Sequence, residues 1–273
     1  MSTLVSAQYS EKGGVGKTSI TTGMAATAAE DGARVIVVDA DPRASATEEL
    51  GVVVGPQTLT LNDLLYVPED ADPVDPAEAI GDVLLPAGEH WPGTVRVIAA
   101  ERQLAHRETD PHAIEGRLAR GLAALDGEAD LVLIDLPPRA GGKLVTTGLT
   151  AATHVVIPTM LTTDGYSGVA HARRSLRLIR QGANPGLTYA GIVRSIVPRE
   201  SDRRAVHDQI DTDLAEDFPG EVVAVQITEY AIREDARYTS FPITRAPGRE
   251  AKILADQYRA LLDHLRSTGG IRV

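Results

Sequence analysis

The stretch Ser10-Glu11-Lys12-Gly13-Gly14-Val15-Gly16-Lys17-Thr18-Ser19 lies between an apolar β-type run, Leu4 to Gln8, and a helix pattern with Ile20, Met24 and Ala28 on one face. A glycine-rich turn at a strand-to-helix junction lets backbone N–H groups converge on phosphate oxygens, and the helix N-terminus adds the positive end of its dipole. The cradle predicted here runs through Gly13, Gly14, Val15, Gly16, Lys17, Thr18 and Ser19. Lys17 is expected to bridge the β- and γ-phosphates of a nucleotide, and the Thr18 hydroxyl to ligate Mg²⁺. A purely structural turn would use the glycines but has no need of the Gly-Lys-Thr ending.

Outward from this loop, short β-branched runs alternate with helix-length segments. Strands are expected at Leu4 to Gln8, Arg34 to Asp39, Val95 to Ala99, Leu131 to Asp135, His154 to Pro158, Leu187 to Val193 and Val222 to Ile227. Most are separated by Ala/Leu-rich stretches long enough for crossover helices, so the fold class predicted is α/β, a mostly parallel twisted sheet with helices on both faces. Gly248 to Arg266 carries Leu254, Tyr258, Leu261, Leu262 and Leu265 at helical spacing and reads as an amphipathic helix on the body. Val52 to Thr94, punctuated by Pro68, Pro73, Pro76, Pro86 and Pro92, reads as surface loops and short helices. No linker divides the chain, so residues 1–273 are expected to form a single domain.

With 43% hydrophobic residues the chain can bury a substantial core, and with no cysteine it can form neither a disulfide nor a thiolate-held metal site. No apolar run is long enough to span a membrane, and the N-terminus has no basic leader, so a cytoplasmic protein is expected. The net charge is −11, but it is unevenly spread: residues 1–170 hold 11 basic and 24 acidic side chains, residues 171–273 hold 16 and 14. The C-terminal third is the only part able to present a positive face.

The usual phosphate loop needs a glycine five residues before Gly16, and Glu11 stands there instead. Lys12-Gly13-Gly14-Val15-Gly16-Lys17-Thr18 resembles the deviant Walker A motif of the ParA/MinD family of P-loop ATPases. Val35-Ile36-Val37-Val38-Asp39-Ala40-Asp41-Pro42-Arg43 looks like that family's Asp-x-Asp-Pro segment, and Leu131-Val132-Leu133-Ile134-Asp135-Leu136-Pro137-Pro138 like its Walker B strand. The resemblance implies a P-loop NTPase fold and an ATP-sandwich dimer in which Lys12 reaches the partner subunit's nucleotide. By the same match Asp41 orients the attacking water, Asp39 sits near the Mg²⁺ shell and Asp135 holds Mg²⁺ through a water. Arg43 replaces a frequent glutamine, and Val193-Arg194-Ser195 stands where an asparagine is common, so the base contacts are expected to differ.

Within that family, the absence of cysteine excludes the iron–sulfur members. The tail Ser267-Thr268-Gly269-Gly270-Ile271-Arg272-Val273 is too short and Gly-rich for the membrane helix of MinD-type members. With no extension before the first strand, no winged-helix operator-binding domain is expected. The reading that remains is a partition ATPase: an ATP-dependent homodimer, associated with the nucleoid through non-specific DNA and stimulated by a centromere-binding, ParB-like partner. Candidate DNA contacts are Arg199, Arg203 and Arg204, the helix stripe Arg173, Arg177 and Arg180, and the stripe Lys252, Arg259 and Arg266. Each cluster reads equally as a solvated face. The alternative is a positioning ATPase that docks a protein cargo without DNA.

Overall fold

Eight strands form one sheet in the computed structural model, which describes residues 3–268. The strands are β1 (Leu4–Gln8), β2 (Val35–Asp39), β3 (Leu84–Pro86), β4 (Val95–Ile98), β5 (Leu131–Asp135), β6 (His154–Thr159), β7 (Thr188–Val197) and β8 (Val222–Thr228). Their spatial order is β3-β4-β2-β5-β1-β6-β7-β8, all parallel except the edge pair β3 and β4. The order reverses on either side of β1, and open α/β sheets bind ligands outside the carboxyl ends of strands at such a switch point. The glycine-rich loop leaves β1 there.

The period-2 alternation of the strands feeds two cores. Val5, Ala7, Ile36, Val38, Val132 and Ile134 face one layer, whereas Val35, Val37, Leu131 and Leu133 face the other. On the second layer lie α1 (Lys17–Glu30), α2 (Ser45–Glu49), α9 (Ile232–Tyr238) and α10 (Arg249–Ser267). The first is covered by α3 (Leu61–Leu65), α4 (Pro76–Ala79), α5 (Arg117–Ala124), α6 (Lys143–Ala151), α7 (Thr163–Gln181) and α8 (Ala205–Asp217). The five apolar residues expected on the last helix are all buried, as are Ile20, Met24 and Ala28 of α1.

Three departures from the sequence expectation have local causes. Strand β3 is a three-residue antiparallel edge strand ending in Pro86; proline lacks the N–H a central strand needs but is tolerated at an edge. The proline-rich segment around it is less superficial than its composition suggests: a capping box of Thr60 and Asp63 starts α3, and Leu61, Leu64 and Leu65 are buried in the core. Strand β7 runs to Val197, four residues past the expected end, with register shifts against β8 and with Ile196 at a φ of 51°. The tail from residue 269, on which the membrane expectation rested, lies outside the described residues. Among the described residues no helix is long and apolar enough to cross a membrane.

Helix α10 closes on α1 where α1 carries Gly23. A Cβ added there would lie 2.4 Å from the Tyr258 ring. Gly23→Ala should therefore overpack this contact and cost about 1–3 kcal/mol, seen as a lowered midpoint in thermal unfolding. An unchanged midpoint would contradict the packing described.

Candidate functional site

Gly14 and Gly16 adopt φ of 75° and 80°, the left-handed region that L side chains rarely adopt, and this turns the chain so that α1 begins at Lys17. The first turn of α1 has neither a side-chain cap nor an acidic residue, which leaves its N–H donors for an anion. The loop is held from behind: Ser195 Oγ on β7 is 2.6 Å from the carbonyl oxygen of the buried Val15 and 3.1 Å from that of Thr159. Lys17, Thr18, Ser19, Gly14, Gly16 and Asp41 line a cleft of about 760 Å³ that extends to β7, to the loop after β8 and to α9.

Lys17 is buried and its Nζ donates to the Lys12 carbonyl at 3.3 Å. Burial pushes its pKa below the usual lysine value, against the opposing pull of Asp135 and Asp41. A polyphosphate in the cleft would favour the charged form. Thr18 Oγ1 donates to Asp135 Oδ2 at 2.6 Å, while Asp135 Oδ1 is buried without any partner. Burial first, and the neighbouring Asp39 charge second, push Asp135 up to about 8.

An orphaned carboxylate oxygen beside a threonine hydroxyl, facing a lysine, fits a site for a small hard cation. Among the described residues no group of three or more His, Cys, Asp or Glu assembles to hold a metal. A cation here would draw its remaining ligands from water and phosphate, which suits Mg²⁺.

Asp39 pairs in register with Asp135 across β2 and β5, but its oxygens are already engaged. Oδ2 accepts from the Thr47 N–H and hydroxyl, both at 2.8 Å, and Oδ1 accepts from the Asp41 N–H at 3.1 Å. Burial pushes Asp39 up to about 6. Asp39, expected near the Mg²⁺ shell, organises the turn into α2, because the hydrogen bonds that make its burial tolerable use both oxygens. Asp41 lines the cleft but is clamped by Arg43, whose Nη2 donates to Oδ2 at 2.9 Å and whose backbone N–H donates to Oδ1 at 3.0 Å.

Lys12 points away from the cleft. Its Nζ lies 3.1 Å from Asp164 Oδ2 in the first turn of α7, with the lysine side chain 44% exposed. Exposed pairs of this kind contribute at most about 1 kcal/mol and are readily exchanged.

The basic clusters expected to carry DNA are largely neutralised. Arg173 pairs with Glu221 at 2.6 Å and lies over the Phe218 ring. Arg203 pairs with Asp208 and Asp211, and Arg259 with Glu30, Asp31 and Asp256. Arg199 pairs with Asp202 and Glu250 and lines the nucleotide-sized cleft, and Arg204 is beside His207. Arg266 pairs with Asp263. Of these candidates Arg177, Arg180, Arg204 and Lys252 have no ion pair with a carboxylate among the described residues. Neighbouring carboxylates, some at i,i+3 and some from distant segments, thus neutralise part of each of the two helix stripes and of the Arg199 to Arg204 cluster.

Several cleft residues carry no motif. Glu49 on α2, Arg233 on α9 and Tyr258 on α10 meet Ser19 and Thr22 of α1 although they are far apart in the chain. The departure at Arg43 was visible in sequence; its partner Asp41 is two residues away.

Replacing Asp135 by asparagine gives a stability test with a defined sign. A carboxylate raised from 3.8 to about 8 stabilises the fold fully below its unfolded pKa and loses that contribution as pH rises through about 8. The nucleotide-free protein should lose thermal stability between roughly pH 5 and 8. Asp135→Asn should flatten that fall, with Asp39 contributing its lower part, and should abolish Mg²⁺-dependent tightening of nucleotide binding. Parallel stability profiles for wild type and variant would contradict this.

A family model described as an AAA domain matches residues 4–189. The chromosome-partitioning ATPase Soj of Thermus thermophilus is 32% identical over 255 residues, which cover 93% of this chain and 92% of that protein. The sporulation initiation inhibitor protein Soj of Bacillus subtilis is 31% identical over 191 residues, 68% of this chain and 70% of its own. Among solved structures, cobyrinic acid a,c-diamide synthase from Mycobacterium smegmatis with bound ATP analog and magnesium superposes with a TM-score of 0.76 at 27% identity, covering 97% of this chain and 96% of that one. An ATP complex of McdA from Cyanothece superposes with a TM-score of 0.78 at 20% identity, over 99% of each chain, and speaks to the fold alone.

Proposed function

Because the chain belongs to the ParA-type P-loop ATPases of the ParA/MinD family, we propose that it is a partition ATPase whose Mg-ATP-closed dimer binds DNA without sequence preference and releases it when a ParB-like partner stimulates hydrolysis. It is an ATPase, with ATP and Mg²⁺ as nucleotide and metal. The observation that carries the site assignment is the buried, unpartnered Asp135 Oδ1 beside the Thr18 hydroxyl and the buried Lys17.

In this reading the loop N–H groups and Lys17 hold the β- and γ-phosphates, and Thr18 with Asp135 holds the metal. Mg²⁺ held by these residues would supply charge neutralisation to the phosphate oxygens. Asp41 orients the water that attacks the γ-phosphorus as the bond to the bridging oxygen breaks and ADP leaves. For that its clamp to Arg43 must loosen, so basal turnover is expected to be weak. Lys12, held only by an exposed aspartate, is available to reach the partner subunit's phosphates, where it stabilises the charge that spreads in the transition state.

A second reading has a specific observation in its favour. The ion pairs of Arg173, Arg203 and Arg259 reduce the positive surface a DNA duplex would meet, which suits a positioning ATPase that docks protein cargo. Binding to a random-sequence duplex separates the two. The partition reading expects ATP-dependent affinity that falls steeply between low and physiological salt, as each neutralised phosphate releases counterions. No affinity for random DNA with ATP at low salt would transfer the proposal to cargo docking.

A further inference from the structure

Arg233 of α9 and Glu49 of α2 are separated by 184 residues in sequence, yet they meet in the cleft wall at the first turns of α1. Arg233 Nε donates to Ser19 Oγ at 2.7 Å, and Nη2 donates to Thr22 Oγ1 at 2.9 Å and to Glu49 Oε1. The Thr22 hydroxyl donates to the same Glu49 oxygen, and the Ser19 hydroxyl lies 2.8 Å from that of Tyr258. The side chains are 16% and 4% exposed, and Glu49 Oε2 is buried with no partner.

As a source of stability this arrangement is poor. Desolvating two charges costs about as much as their attraction returns, and apolar residues of equal volume often do better. An unmatched carboxylate oxygen makes the balance worse. The location supplies a different reason for the pair. Ser19 follows directly on Lys17 and Thr18, at the N-terminal end of α1, whose uncapped first-turn N–H groups suit phosphate oxygens. A guanidinium hydrogen-bonded to Ser19 and exposed to the same cleft is within the anion's surroundings, and its planar fork suits phosphate oxygens.

We propose that Arg233 is a phosphate-binding residue for the nucleotide held by its own subunit, kept in place by Glu49, so that α9 is tied to nucleotide occupancy. The proposal rests on the reading of the Gly13 to Ser19 loop as a nucleotide cradle. It differs from the role given to Lys12, which acts across a dimer: Arg233 acts within one subunit. Burial alone would lower the guanidinium's pKa, and the Glu49 carboxylate more than offsets this, so the group stays charged.

Calorimetric titration with Mg-ADP, which needs no turnover, tests it together with thermal unfolding. Arg233→Met leaves Glu49 buried and alone, so both stability and ADP affinity should fall. The double variant Arg233→Met with Glu49→Met removes both charges and should return the unfolding midpoint to near the wild-type value. ADP affinity should nevertheless stay at least about tenfold weaker, because the phosphate has lost a cation. If the double variant binds ADP within twofold of wild type, the pair is only a structural clasp and the proposal is overturned. Glu49→Gln keeps the shape and most hydrogen bonds; it should fold and bind ADP as tightly as wild type or more so, since the guanidinium is freed from its counter-charge. A parallel loss of midpoint and affinity in that variant would also overturn the assignment. Lys17→Ala serves as the reference: if it retains ADP affinity, the cradle reading itself fails, whereas a failure confined to the Arg233 variants leaves the cradle standing.

Discussion

Alanine in place of Lys17 is expected to abolish measurable ATP and ADP binding. Its amino group is buried at the foot of the cleft and, among the described residues, hydrogen-bonds only the Lys12 carbonyl. It is also the cation that opposes the rise of Asp135. A polyphosphate entering this site meets low dielectric and one intrasubunit loop lysine. Truncating one partner of such a buried charge pair costs about 2–5 kcal/mol or more, which is roughly 30- to several-thousand-fold in Kd. Isothermal titration reads this directly, with far-UV circular dichroism to verify the fold. Near-wild-type affinity in a folded Lys17→Ala protein would refute the phosphate-loop assignment.

Lys12→Ala should separate binding from chemistry. The side chain is turned toward α7 and away from the cleft, and its partner Asp164 is 80% exposed, so its loss should leave stability and nucleotide affinity within about twofold of wild type. Partner-stimulated hydrolysis should drop by about 10³-fold or more, the range for a cation delivered in trans to a phosphoryl-transfer transition state. Colorimetric phosphate release under saturating ATP measures the effect. Turnover within threefold of wild type would remove Lys12 from the catalytic machinery and leave it a surface lysine paired with Asp164.

The fold and the phosphate loop were legible because their signals are local. Strand alternation, the Gly14 and Gly16 turn and the helix face of Ile20 and Met24 each lie within one segment, where periodicity and backbone conformation decide the structure. The burial of Leu61, Leu64 and Leu65 was hidden by surrounding prolines and acids, whose composition suggested surface. The engagement of Asp39 by Thr47 lies eight residues downstream, in a turn that propensity does not specify. The partners of the basic residues were hidden for a related reason. Helical spacing showed which arginines share a face, but Arg173 with Glu221 and Arg259 with Asp31 are tertiary pairs across 48 and 228 residues. The Glu49–Arg233 contact belongs to the same class, and no motif announces it.

Tertiary packing also brings together, in one site, buried titratable groups without a full set of partners. Lys17, Asp135 and Asp39 are buried together with one carboxylate oxygen unpartnered. Asp41 and Lys12 are meanwhile held by Arg43 and Asp164, partners that can be exchanged. Nucleotide and metal would complete the first group and recruit the second. The proposed closed dimer rests on Lys12, a loop cation directed away from the cleft.

The dimer is therefore the claim to measure. Asp41→Ala removes the carboxylate proposed to orient the attacking water while leaving the phosphate cradle intact, so the ATP-bound state should persist. Sedimentation velocity of this variant with saturating Mg-ATP should give a species of twice 29.0 kDa, and with Mg-ADP a monomer. A monomer at saturating Mg-ATP, with ATP binding confirmed in the same sample, would contradict the account.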